Sequence, residues 1–160
     1  MKEYILPFSI ARMILTSHED VQQFLKKFPK LTVVSLREND HAKPPTGELF
    51  RRFKEAYDKV PQDQRRTCLA FHGTAEDKVD SICTNGYDSK RRGTSYGQAY
   101  GTGEYFATDP STSMGYCRGK KMLLNELLLG QNGVHHTQHG NIIVMKYPDH
   151  DLPRYVITFQ

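Results

Sequence analysis

The chain has 160 residues, a formal charge of +4, 38% apolar and 25% charged residues, and no tryptophan. That composition suits one soluble domain, or one with a small appendage, and leaves no room for several large cores. The mild basic excess permits contact with anionic ligands or nucleic acid and demands neither. Cys68, Cys83 and Cys117 are odd in number and far apart, with no CxxC pair. A zinc ribbon or redox motif is therefore not expected, and a reduced intracellular setting, cytoplasmic or nuclear, is. The N-terminal apolar run MKEYILPFSIARMIL is interrupted by Pro7 and Arg12, and no small-residue cleavage site follows it. Secretion by that route is not expected. Membrane insertion is not expected either, because no stretch approaches the roughly 20 apolar residues of a span.

In chain order, residues 4–15 read as β-like or mixed. Ser17, followed by Glu19 and Asp20, marks a helix start with acids in its first turn. Val21, Phe24, Leu25 and Phe28 repeat at helical spacing, and Pro29 ends the run. Leu31–Leu36 is rich in β-branched residues and reads as a strand. Residues 37–46 form a polar loop, and Glu48–Tyr57 is a second amphipathic helix. Cys68–Phe71 is a short strand ending in His72-Gly73. Ala75–Asn85 is a helix closed by Asn85-Gly86. Residues 87–103 carry four glycines and three basic residues without apolar periodicity, so they read as a long loop. Tyr105–Ala107 is a short strand, and Asp109-Pro110 starts a helix of about two turns. Met122–Leu129 is strand or helix, and 130–140 is a Gly- and His-bearing loop. Asn141–Tyr147 and Arg154–Phe159 are strands joined by a turn at 148–153. Many short strands with few short helices favour α+β.

The stretch 100-YGTGEYFATDPSTSMGYC-117 concentrates the chemistry. Strand alternation turns Tyr105 away from Glu104 and Phe106. Ser113 and Tyr116, three apart, share a helix face. With His72-Gly73 at the end of another strand, these groups suit a slot for a planar, amide-bearing ring between tyrosines. The alternative is that the tyrosines are half-buried core and His72 is a satisfied core histidine.

The strings 71-FHGT-74, 79-VDSICTNGYD-88, the stretch above and 152-LPRYVITF-159 resemble the catalytic domain of the poly(ADP-ribose) polymerase superfamily, the diphtheria-toxin-like ADP-ribosyltransferases. The resemblance runs over about residues 48–160 as a catalytic core, while 1–47 form an αβ piece that matches loosely. It implies one catalytic domain over 1–160, with the ADP-ribosyltransferase fold: two packed, mostly antiparallel β-sheets with short flanking helices. It implies NAD as substrate, no metal, and a monomer acting on an acceptor protein, or on an RNA or DNA end. With only 47 residues before the core, no autoinhibitory helical domain is expected there, nor any appended targeting module.

Residue by residue, the resemblance implies that His72 bonds a ribose hydroxyl and that the Gly73 backbone pairs with the nicotinamide carboxamide. Thr74 would stand near the adenosine ribose. Tyr105, Phe106 and Ala107 would all belong to the NAD site, Tyr105 stacking on one side of the nicotinamide ring and Tyr116 on the other, and Ser113 would bond the carboxamide oxygen. Residues 88–101 would cover the adenine and pyrophosphate. Lys90, Arg91 and Arg92 then either face an anion or form a solvated basic loop. The third triad position falls on Ile142, where polymerising members have glutamate. A slip of one residue selects Asn141 or Ile143, neither acidic. A His72-Tyr105-Ile142 triad resembles the mono-ADP-ribosylating members. Thr102 and Glu104 depart from the family pattern, and Glu104 is expected to be a bystander or an acceptor-side residue.

Other readings compete. A dinucleotide fingerprint needs a third glycine where Phe106 stands, so it fails. His135, His136 and His139 have metal-ligand residue types but loop spacing. A catalytically weak NAD or ADP-ribose binding module is the rival from another class.

Overall fold

The computed structural model describes residues 14–91 and 99–160. The expectations for residues 4–13 and for Arg92 lie outside this range. The elements in order are α1 (His18–Leu25), β1 (Val33–Glu38), α2 (Glu48–Lys59), β2 (Thr67–His72), α3 (Glu76–Asn85), β3 (Glu104–Ala107), α4 (Pro110–Met114), β4 (Lys121–Leu128), β5 (His136–His139), β6 (Ile142–Met145) and β7 (Asp151–Phe159). The strands order as β1-β7-β4-β2-β3-β6-β5, every pair antiparallel. The α+β expectation holds. The expected two sheets take the form of a four-strand and a three-strand block, joined through β2 and β3 by the single pair Phe71↔Ala107.

Local chemistry accounts for the element ends. The Ser17 side chain accepts the Asp20 N–H at 3.1 Å and starts α1. Such a cap contributes about 1 kcal/mol. The helix stops at Leu25, so Phe28 lies beyond it, yet still packs with Phe24 and Phe71. Asp109 caps the Ser111 N–H at 2.8 Å, and α4 ends after five residues at Gly115 rather than after two turns. α3 closes on Gly86, whose positive φ of 81° suits glycine and whose N–H bonds the Ile82 carbonyl; its ψ of −174° is extended, not the left-handed helical cap expected at Asn85-Gly86.

The segment that read as strand or helix is strand β4. It pairs with β2 on one side and β7 on the other, and almost all of it is buried. Its alternating residues feed two cores. Met122 and Leu124 join Phe71, Tyr155, Ile157, Val21 and Leu25 under α1. Leu123 and Leu127 join Ala70, Val156, Phe106 and Val79 under α3. Burial on both faces explains the unbroken apolar run that hid its period.

Two expectations are corrected. Residues 136–139 are not loop but edge strand β5, paired with β6 across the tight turn Gly140-Asn141. Its residues are mostly polar, so no apolar alternation announced it. Residues 151–153 are not turn but the start of β7, because Asp151, Leu152 and Pro153 pair with Leu127, Glu126 and Asn125. Pro153 sits where the register shifts, the kind of place a proline tolerates within a sheet.

That shift turns Arg154 inward. Its Nη1 donates to Glu126 Oε1 at 3.1 Å and to the Thr16 carbonyl, while the Thr16 N–H and hydroxyl bond the same carboxylate at 3.0 and 2.9 Å. Both charged side chains are buried.

His136 and His150 are also buried, and their Nδ1–H groups donate to the Leu129 and Leu128 carbonyls. Burial lowers the pKa of each ring. The unfolded chain therefore binds more protons below about pH 6.5, and stability falls as pH drops through that point toward the folded values. Urea denaturation should give a lower midpoint at pH 5.5 than at pH 7.5. The double variant His136→Gln, His150→Gln should reduce that difference; an unchanged difference would refute the assignment.

Candidate active site

β2 delivers His72 to the seam between the two strand blocks. Its Nδ1–H donates to the Tyr105 carbonyl at 2.8 Å. Its ring packs edge-on to Tyr87 at 5.1 Å and against Phe106 at 5.4 Å. Burial pulls its pKa down, partly opposed by the Tyr105 carbonyl and by the charge of Glu104. The imidazole is thus neutral at physiological pH, with its proton on Nδ1 because a carbonyl can only accept. Nε2 keeps a lone pair that can take a hydroxyl proton. The core-histidine alternative describes one side of this ring and leaves the other nitrogen available.

Gly73 meets α4 so closely that a Cβ there would lie 1.9 Å from the Ser113 carbonyl oxygen and 3.2 Å from the Tyr116 Cβ. The contact brings Gly73, Ser113 and Tyr116 together. Ser113 is buried, while Tyr116 is half-exposed in the turn after α4, held by its N–H to the Ser113 carbonyl at 3.0 Å. The expected shared helix face is therefore a helix end plus a turn. Thr74 follows, its carbonyl 3.4 Å from the Arg118 N–H.

β3 delivers Tyr105, half-buried. Its hydroxyl accepts the Tyr100 N–H at 2.8 Å and donates to the Gly101 carbonyl at 2.6 Å. The two-glycine turn thus holds the end of the ring. Lys146 Nζ donates to the Thr102 carbonyl at 3.0 Å, tying the same turn to the chain after β6. Gly103 must lack a side chain: a Cβ would lie 2.4 Å from the Met145 carbonyl oxygen. β6 places Ile142 opposite Ala107 and Val144 opposite Tyr105. Cross-strand partners share a face, so Tyr105, Ala107 and Ile142 point the same way.

Phe106 is buried on the opposite face, against His72 and Tyr87. Glu104 shares that face and is buried, turned away from Tyr105 as alternation predicts. Sequence reasoning missed Tyr87 and Asn125. The Tyr87 hydroxyl donates to Asn125 Oδ1 at 2.6 Å, and Asn125 Nδ2 donates to the Ala70 carbonyl at 3.2 Å, which fixes the ring behind His72. The available signal was a single amide inside the apolar run MLLNELL. Of residues 88–101, expected to cover the donor, the Lys90 N–H bonds Asp88 Oδ1 at 2.9 Å.

The three loop histidines diverge. His135 Nδ1 accepts the Gln131 N–H, His136 bonds the Leu129 carbonyl, and His139 stacks on Tyr100. Among the described residues no group of three His, Cys, Asp or Glu could hold a metal. A cleft of about 370 Å³ lies elsewhere, between α2 and the rings of His135, Tyr147 and His150.

The sequence pattern of the poly(ADP-ribose) polymerase catalytic domain matches residues 19–151, which reaches into α1 and β1. A 74-residue segment is 35% identical to Protein mono-ADP-ribosyltransferase PARP11 of Mus musculus, covering 44% of this chain and 22% of that protein. The Homo sapiens protein of the same name matches over 74 residues at 35% identity, 44% of this chain and 21% of its own length. The chain thus spans about a fifth of these curated relatives.

Proposed function

We propose that this chain, which belongs to the poly(ADP-ribose) polymerase catalytic-domain family, moves one ADP-ribose from NAD to an acceptor and releases nicotinamide. The observations that carry the reading are the close approach of Gly73 to Ser113 and Tyr116, and the bond from His72 to the Tyr105 backbone carbonyl at the seam between the strand blocks. In this reading Tyr105 and Tyr116 clasp the nicotinamide ring. The Gly73 amide and the Ser113 hydroxyl read its carboxamide, and His72 Nε2 accepts a ribose hydroxyl. Holding the donor in one orientation lowers the cost of separating nicotinamide from an oxocarbenium-like ribosyl carbon. Ile142 cannot anchor a ribose hydroxyl or polarise the hydroxyl of an incoming ADP-ribose, so elongation is poor and the product is a single unit. The names of the two relatives support the mono-transferring reading. A protein side chain is the acceptor, and the reduced cysteines suit an intracellular site of action.

Incubation with labelled NAD, with candidate proteins or with 5′-phosphorylated RNA, tests this. One ADP-ribose per labelled protein site is expected. Long polymers would refute the role given to Ile142. Label on RNA alone would move the acceptor class. Saturable NAD binding without transfer would establish a binding module instead.

The slot geometry has its own test. Tyr105→Ala should weaken nicotinamide binding by about 1–3 kcal/mol, the usual worth of ring stacking on an aromatic side chain. Tyr105→Phe, which keeps the ring, should lose far less. Equal affinities for all three proteins by calorimetry would count against the slot.

A further inference from the structure

We propose that His139 is the base that takes the acceptor's proton, and that the acceptor is a neutral hydroxyl such as a serine side chain. The inference rests on the transferase reading above. His139 pairs directly with Ile142 across the β5–β6 hairpin, and Ile142 pairs with Ala107. Paired residues in antiparallel strands project from the same face, with Cβ atoms about 4.5–5.5 Å apart. The imidazole therefore stands on the face that Tyr105 uses, one strand outward from the position where a carboxylate is lacking.

The ring is held. It lies 4.3 Å from the Tyr100 ring at an interplanar angle of 11°. Its Nε2 is 3.1 Å from Thr137 Oγ1. Tyr100 is in turn bonded through its N–H to the Tyr105 hydroxyl, so His139 and the slot wall are oriented together. When Nε2–H donates to Thr137, Nδ1 keeps its lone pair, and Nδ1 has no hydrogen-bond partner among the described residues. His139 is half-buried and Tyr100 is 47% exposed, which leaves room for a macromolecular acceptor to approach.

The step balances as follows. The bond from ribose C1′ to the nicotinamide nitrogen breaks, and its electron pair leaves with nicotinamide. A lone pair of the acceptor oxygen forms the new C1′–O bond. The hydroxyl proton passes to His139 Nδ1, and the imidazolium later returns it to solvent. An ionised carboxylate acceptor has no proton to give up and needs no such base. A positioned base is worth about 10²–10⁴-fold in rate.

The test compares two acceptor peptides, one bearing serine and one bearing glutamate at the same site, with labelled NAD and the full chain. Wild type should label the serine peptide. In His139→Ala the serine-to-glutamate labelling ratio should fall at least tenfold. His139→Gln, which preserves a polar side chain at the edge strand, should fall likewise. Nicotinamide affinity within twofold of wild type certifies an intact donor site in each variant. A wild type that labels only glutamate, or a ratio unchanged in a variant with an intact donor site, overturns the inference and leaves the transferase reading standing. A wild type that cleaves no NAD overturns both.

Discussion

Gly73→Ala is expected to lower NAD turnover at least about 100-fold. The added Cβ would sit 1.9 Å from the Ser113 carbonyl oxygen, where ordinary contact begins at 3.4 Å. One side must give by about 1.5 Å, and neither can do so cheaply. The obstacle is backbone, at the end of a helix whose own start is pinned by Asp109 and Pro110. Moving α4 carries Ser113 and Tyr116 away from Gly73. A misplacement of about 1 Å in a positioned site costs on the order of 10² in rate. Steady-state nicotinamide release measures this, and nicotinamide affinity should fall in parallel. Turnover within a few-fold of wild type would show that the Gly73–Ser113 approach is not what sets the slot. Gly73 is thus required twice: its packing admits α4, and its amide is the proposed partner of the carboxamide.

Glu126→Ala is expected to destabilise the fold by about 3–5 kcal/mol, the usual cost of leaving one member of a buried ion pair without its partner. Arg154 would keep its charge without its carboxylate partner, and the Thr16 N–H and hydroxyl would lose their acceptor. At roughly 3 °C per kcal/mol for a domain of this length, the melting temperature should drop by about 9–15 °C. Differential scanning calorimetry provides the measurement. The double variant Glu126→Leu, Arg154→Met should recover much of the loss, because it removes both charges instead of stranding one. A double variant no better than the single would mean that Thr16, and not the charge, dominates. The network also explains two of the polar residues buried in the sheet: Glu126 on β4 meets Arg154 at the register shift of β7.

What the sequence determined by itself was local. Caps at Ser17 and Asp109, the Asn85-Gly86 close and the helical spacing of Val21 and Leu25 depend on neighbours within a turn. Alternation was enough to turn Tyr105 from Glu104 and Phe106. The order of the motifs and the identity of the residue at 142, an isoleucine and not an acid, were equally legible, since they need only identity and position along the chain. What the tertiary structure decided was non-local. β5 hid in a histidine-bearing segment because an edge strand with polar side chains carries no apolar period, and only its pairing with β6 shows it. The same pairing sets His139 beside Ile142. Glu104 could have faced solvent by composition; its place opposite Met145 buries it. Asn125 drew no expectation from the sequence; its partner, the Tyr87 hydroxyl, lies 38 residues away. In each case the missing information was which distant segment lies opposite. That is chosen by the packing energy of the whole sheet and not by the preferences of any one stretch.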